Sequence, residues 1–236
     1  MSDLPKIEEL FQAGAHLGHL RGKWNPKMKP YVFTIRNNTY IINLDKTIEG
    51  LKKAIDFIKK LIQEEKMILF VGSKRQAKEA VRKTAEALGM PYIDYRWLGG
   101  TLTNFETIQK ALSKFEKMVE KKNNQEFMQS MTKKEQKNFL LNLEKMEKSF
   151  GGVIKMKKIP DALFVVDTVE EKVAVNEANR LKIPIVAIVD SNSDPSKIDY
   201  PIPANDDSRK AIEIILNSIK DNCQKKSKLQ KTNNSK

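Results

Sequence analysis

Three groups of residues in this chain have the types and spacing to do chemistry. The first is "FVGSKRQA", Phe70 to Ala77, where an apolar run stops at Gly72 and Ser73, Lys74, Arg75 and Gln76 open a helical pattern. Free N–H groups at a helix start attract an anion, two basic side chains add charge, and Ser73 can cap the helix. The stretch has one glycine where a dinucleotide loop has three, and it lacks the G-x-x-x-x-G-K-[ST] of a phosphate-binding loop. A phosphate fits there, but nothing dictates a mobile nucleotide.

The second group is acidic. Asp167, Asp190 and Asp194 follow apolar runs and could gather Mg²⁺ for phosphoryl chemistry. "VVDTVEE" and "VDSNSDP" also read as helix-cap and turn sequences, and capping is the favoured reading. His16 and His19 in "GAHLGH" lie three apart, as on one helical face. Two histidines with no cysteine near do not close a zinc site. No serine or cysteine has a nucleophile's setting. The histidines can instead hydrogen-bond locally or touch RNA.

The third group mixes basic and aromatic residues. "KWNPKMKPY" sets Lys23, Lys27 and Lys29 beside Trp24, Asn25 and Tyr31, stiffened by Pro26 and Pro30. "RNN", Arg36 to Asn38, makes a turn between two apolar runs. "DYRWLGGTLTN" places Arg96 and Trp97 before Gly99, Gly100 and Asn104. Rings and guanidinium groups among flexible backbone suit RNA, whose phosphates and unstacked bases they can meet. Either tryptophan could instead plug the core beneath its loop.

The elements that must hold these groups alternate along the chain. Strands are expected at Thr39–Leu44, Met67–Val71, Pro91–Tyr95, Ala162–Val166 and Ile183–Val189. Helices are expected from Asp45 or Lys46, over Lys74–Leu88, over Val169–Leu181 and over Asp206–Lys220. Unbroken apolar strands between helices predict a parallel sheet covered on both faces, joined by right-handed crossovers. Ligands of such sheets gather beyond the carboxyl ends of the strands. That edge would collect Gly72–Gln76, Arg96–Asn104, Asp167 and Asp190–Asp194.

Between the third and fourth strands the period changes. Phe105, Ile108, Leu112, Phe115 and Val119 step by 3, 4, 3, 4, and Phe139, Leu143, Met146 and Phe150 step by 4, 3, 4. Two narrow apolar stripes around a polar turn predict an antiparallel coiled-coil hairpin that projects from the sheet domain. The alternative is a pair of helices lying flat on it. The last stretch, "QKKSKLQKTNNSK", has five lysines and no acid and reads as a disordered basic tail.

Bulk properties narrow the partners. The 236 residues carry 43 Lys and Arg against 30 Asp and Glu, a formal charge of +13. That surplus favours nucleic acid or an anionic membrane surface as partner. No run approaches the roughly 18 apolar residues a membrane span requires. No basic region followed by an apolar one marks a secretory signal. The single cysteine, Cys223, excludes an internal disulfide and fits a reducing compartment.

The residues also carry a family resemblance. "GAHLGHLRGKWNPKMKPY", "INLDKT", "FVGSKRQA", "RWLGGTLTNF", "KKIPDALFVVDT", "EANRLKIPIVAIVDSNSDP" and "DYPIPANDD" resemble, in order and spacing, the bacterial-type second protein of the small ribosomal subunit. The match covers about Leu4 to Ile219. Leu20, Arg21, Gly22, Lys23, Ser193 and Ala204 depart from the common pattern. The resemblance implies an α/β, Rossmann-like (flavodoxin-like) fold: a mostly parallel five-stranded sheet flanked by helices, with the hairpin inserted. It implies no catalysis and no nucleotide cofactor, and no metal ligands or small-molecule substrate are assigned. It implies a cytoplasmic, ribosome-bound protein that contacts 16S-type rRNA between head and body and touches neighbouring small-subunit proteins. In many bacteria such proteins also help to dock ribosomal protein one. Carried over position by position, the RNA-facing candidates are Lys23, Trp24, Asn25, Lys27, Lys29, Arg36, Asn37, Lys74, Arg75, Arg96, Trp97 and Asn104, with Gly99 and Gly100 shaping their loop.

On this reading residues 1–103 and 159–222 form one RNA-binding domain, 104–158 the hairpin and 223–236 the tail. Two rivals stand beside it. A Mg²⁺-dependent phosphate-processing enzyme would need Asp167 and Asp190 clustered about a metal. A coiled-coil adaptor that binds proteins only would use the hairpin and ignore the basic loops.

Overall fold

The computed structural model describes residues 4–233, with side chains described through Gln224. A short helix, α1 (Ile7–Gln12), leads into strands β1 (Leu17–Leu20), β2 (Val32–Arg36) and β3 (Thr39–Ile42). These form a small antiparallel sheet in the order β1-β3-β2. The "RNN" turn is its hairpin: Arg36 pairs with Thr39, and Asn37 and Asn38 have φ of 48° and 61°. A two-residue hairpin turn of type I′ needs positive φ at both central positions, and asparagine tolerates it better than most residues. The Thr39 strand therefore lies outside the parallel sheet, where the sequence pattern had placed it.

The chain continues through α2 (Leu44–Gln63), β4 (Ile68–Val71), α3 (Lys78–Leu88) and β5 (Tyr92–Ile93). Helix α4 (Phe105–Asn123), a short α5 (Gln125–Gln129) and α6 (Lys133–Phe150) follow. Then come β6 (Ala162–Val166), α7 (Lys172–Arg180), β7 (Ile185–Val189), β8 (Tyr200–Pro203) and α8 (Arg209–Asn233). The larger sheet runs β5-β4-β6-β7-β8, with every neighbouring pair parallel. Numbered along this sheet alone, the order is 2-1-3-4-5, a doubly wound arrangement of the flavodoxin kind, whose topological switch lies between β4 and β6.

The fifth strand is β8, "YPIP". Its prolines disguise it, but it is an edge strand, where a missing donor costs little. Alternation along β4, β6 and β7 fills two cores. Phe70, Phe164, Val186 and Ile188 face α2, α3 and α8; Leu69, Val71, Leu163, Val165, Ala187 and Val189 face α7 and the base of α4. Gly72 keeps α3 close: a Cβ there would sit 2.8 Å from Val81 Cγ2.

Helix boundaries differ from expectation at their starts. Asn43, whose side chain accepts from Asp45 N at 2.9 Å, starts α2. Regular helix after β4 begins at Lys78 instead of Lys74, and after β6 at Lys172 instead of Val169, because turns fill the intervals. At the other end α8 takes in most of the segment read as a tail, and Cys223 is buried in the first core. Residues 234–236 of that segment lie outside the described residues, as do the side chains from 225 onward.

The inserted helices α4 and α6 are in contact with each other. Ile108 and Leu112 belong to the second core, whereas Phe115 and Leu143 are buried outside both cores. Thr132 and Glu135 form a reciprocal capping box at the start of α6. Among the described residues no helix is long and apolar enough to cross a membrane.

Candidate nucleic-acid interface

Parallel strands end together, so the loops after β4, β5, β6, β7 and β8 converge on one edge. At the switch between β4 and β6 stands Lys74. Its Nζ lies 3.0 Å from Asp167 Oδ2, 2.7 Å from Asp206 Oδ1 and 2.6 Å from Asp207 Oδ1. Burial works against the lysine's charge, but these carboxylates outweigh it and hold Lys74 well above the usual lysine range. Asp206 is fully buried, and burial together with Asp167 and Asp190 pushes its carboxyl far up against the pull of Lys74. The crevice in which a fold of this order takes its ligand is thus filled by the protein's own ion cluster.

In the turn before α3 one backbone N–H already has an anionic partner. Ser73 does not cap the helix; Ala77 stands at that position without a side-chain bond. The N–H of Ser73 instead donates to Glu171 Oε1 at 2.7 Å, so a carboxylate already occupies the place proposed for a phosphate. Of the basic pair expected to meet a phosphate at Gly72–Gln76, Lys74 is paired with acids and Arg75 is exposed.

The three aspartates of the metal reading are cap and turn residues. Asp167 Oδ1 accepts from Val169 N and Glu170 N, both at 3.0 Å. Asp190 accepts from Ser191 N. Asp194 accepts from Ser196 N at 3.1 Å and from Lys27 Nζ at 2.9 Å. His16 and His19 do not share a helical face. His16 precedes β1 and stacks on Phe11 with ring centroids 4.2 Å apart, and His19 lies within β1. Ligand atoms of His19, Asp190 and Asp207 lie within 4.8 Å of one another, the one group among the described residues that could hold a cation.

The basic loops hold both paired and unpaired residues. Lys27 is tied to Asp194, and Asn25 caps its own turn by accepting from Lys27 N at 3.0 Å while its N–H donates to Ser191 O. Trp24 is half-buried, its ring stacked on Tyr40 at 4.6 Å. Lys23, Lys29, Arg36, Asn37, Arg75 and Arg96 are exposed. None of these five cations makes an ion pair among the described residues.

Trp97 is not a stacking platform. It is buried in the second core, and its Nε1 donates to Glu177 Oε1 at 3.0 Å. The two glycines after it serve different ends. Gly100 has φ +87°, a conformation that an L side chain rarely adopts. Gly99 has no such φ, and a Cβ there would meet nothing within 4 Å, so internal packing does not require glycine at that position. Asn104 is exposed at the start of α4, where its Oδ1 accepts from Thr107 Oγ1.

Sequence reasoning missed Glu171, Glu177, Asp206 and Asp207. Glu177 left one signal: an acid on the buried face of α7, beside Ala174, Val175 and Ala178. The other three gave none, because their partners lie in other loops.

Comparison with known proteins supplies the family. The model of the family Ribosomal protein S2 matches residues 10–226. The small ribosomal subunit protein uS2 of Coprothermobacter proteolyticus is 47% identical over 215 residues, covering 91% of this chain and 80% of the relative. Its counterpart from Petrotoga mobilis is 48% identical over 215 residues, covering 91% and 74%. A family match over residues 10–226 and two relatives near half identical along most of the chain lead to one assignment: this chain belongs to the ribosomal protein S2 family.

Proposed function

We propose that the chain is a structural, non-catalytic constituent of the small ribosomal subunit, bound to 16S-type rRNA on cytoplasmic ribosomes. The observation that carries this reading is the division of its cations. Lys74, the one lysine placed for chemistry in the crevice, is neutralised internally. Lys23, Lys29, Arg36, Arg75 and Arg96 stand exposed and unpaired among the described residues. Such groups bind phosphates and release counterions; they position RNA without reading its sequence. Trp24, Asn25, Lys27, Asn37, Gly99 and Asn104 complete the RNA-facing set, while Lys74, Trp97 and Gly100 support it from within.

Residues 104–158 form the projecting coiled-coil hairpin in this reading. Phe115 and Leu143, buried outside both cores, support it: the helices cover each other beyond the point where the sheet domain covers them. Neighbouring small-subunit proteins, with ribosomal protein one among them, are the protein partners.

The test is binding of the full chain to small-subunit particles stripped of it. Lys29→Glu with Arg96→Glu should abolish binding at moderate salt, and Arg96→Ala alone should reduce the salt slope by about one. Binding indifferent to both changes would count against RNA contact and favour a protein-only adaptor.

A further inference from the structure

Glu177 lies on the inward face of α7 and is buried. No cation pairs with it among the described residues. Its carboxylate is solvated instead by one loop. Oε1 accepts from Trp97 Nε1 at 3.0 Å and from Gly100 N at 2.8 Å. Oε2 accepts from Leu102 N at 3.0 Å and from Thr103 N and Oγ1, both at 3.1 Å. Burial alone would raise this carboxyl, but the bonds from Trp97, Thr103, Leu102 and Gly100 win and hold it below the usual range. The donors all come from residues 97–103, and the acceptor from a helix more than 70 positions away.

We propose that Glu177 is the positioning residue of the rRNA-binding loop: by gathering these five donors it fixes the backbone from Trp97 to Thr103 so that Arg96, the bare Gly99 backbone and Asn104 face outward together. A loop with two adjacent glycines is otherwise costly to order, because glycine loses the most freedom on fixing. The carboxylate meets that cost during folding, so it is not charged against RNA binding. The open space around Gly99 gives the loop an outward use: no atom of this chain occupies it. This inference rests on the rRNA reading and names the residue on which one of its contact loops depends.

The experiment uses the full chain carrying Glu177→Gln and, separately, Arg96→Glu. Each is titrated onto stripped small-subunit particles over a range of salt, and amide hydrogen exchange is followed in the free chain. Glutamine keeps the size but turns an NH₂ toward donors. E177Q should exchange faster at Gly100, Leu102 and Thr103, leave the β4 and β6 amides protected, and bind about tenfold more weakly. Its salt slope should be unchanged, because no phosphate contact is lost. Glu177→Asp, which restores the carboxylate, should recover part of both losses.

Normal affinity of E177Q overturns the positioning role, and so does weak binding without faster loop exchange. Normal affinity of R96E overturns the rRNA reading of this loop itself, which separates the two failures. If E177Q does not fold, Thr103→Val, which deletes only the hydroxyl donor, should show the same pair of changes on a smaller scale. Their absence in T103V overturns the proposal equally.

Discussion

Lys74 Nζ lies 2.7 Å from Oδ1 of the fully buried Asp206, across the topological switch of the sheet. The pair closes the crevice that doubly wound folds use for ligands. It also ties the loop after β8 to the loop after β4, and removing Lys74 would leave the buried Asp206 carboxyl without a cation.

Lys74→Met should therefore act on stability and not on RNA affinity. Breaking a buried pair by removing one partner costs about 3–5 kcal/mol. Urea unfolding should show a loss of that order with an unchanged slope of stability against denaturant. Folded K74M should keep the wild-type salt dependence of particle binding. A reduced salt slope would return Lys74 to the RNA-contacting set.

The two tryptophans should separate. Trp97 fills the second core, so Trp97→Ala should destabilise the chain by about 3–5 kcal/mol. Trp24 leans on Tyr40 and is half-buried. Trp24→Ala should cost less stability and weaken particle binding in samples that remain folded. Thermal unfolding beside particle titration distinguishes them, and equal stability losses would contradict the assignment.

Gly99 and Gly100 should separate as well. Gly100→Ala forces a side chain into positive φ at +87° and should destabilise by about 1 kcal/mol or more. Gly99→Ala meets open space and should leave the melting temperature within error. On particles the G99A chain should bind more weakly, since the methyl stands where RNA backbone approaches. Full binding by G99A would remove Gly99 from the interface.

Acid stability reports on Glu177. Its folded-state affinity for a proton is lowered from the ordinary 4.5, so the unfolded chain binds the proton more readily. The stability it contributes is complete above about pH 4.5 and is lost as pH falls through the depressed folded value. Unfolding free energy measured from pH 6 to pH 3 should fall more steeply for the wild type than for E177Q. Parallel curves would show that the carboxylate is not held ionised by the loop.

Some of this molecule is legible from residues alone. The strands at β4, β6 and β7 are continuous apolar runs, and burial on both faces is what such runs predict. The change of period after Asn104 announces a different pair of helices, and Asn37–Asn38 announces a hairpin turn. Asp167 and Asp194 as caps follow from their position before turns. These features depend on neighbours within a few residues, and sequence order determines those neighbours. The fates of Lys74 and Trp97 do not depend on such neighbours. Lys74 looks like a free cation at a helix start until the crossovers bring Asp206 and Asp207, 132 and 133 positions on, to the same edge. Trp97 looks like a stacking ring until α7 sets Glu177 beneath it, 80 positions on. The strand at β8 hides behind its prolines because only its place at the edge of the sheet makes them harmless. Periodicity is written locally and can be read locally; a charge or a ring is assigned to interior or surface by what the folded chain brings opposite it.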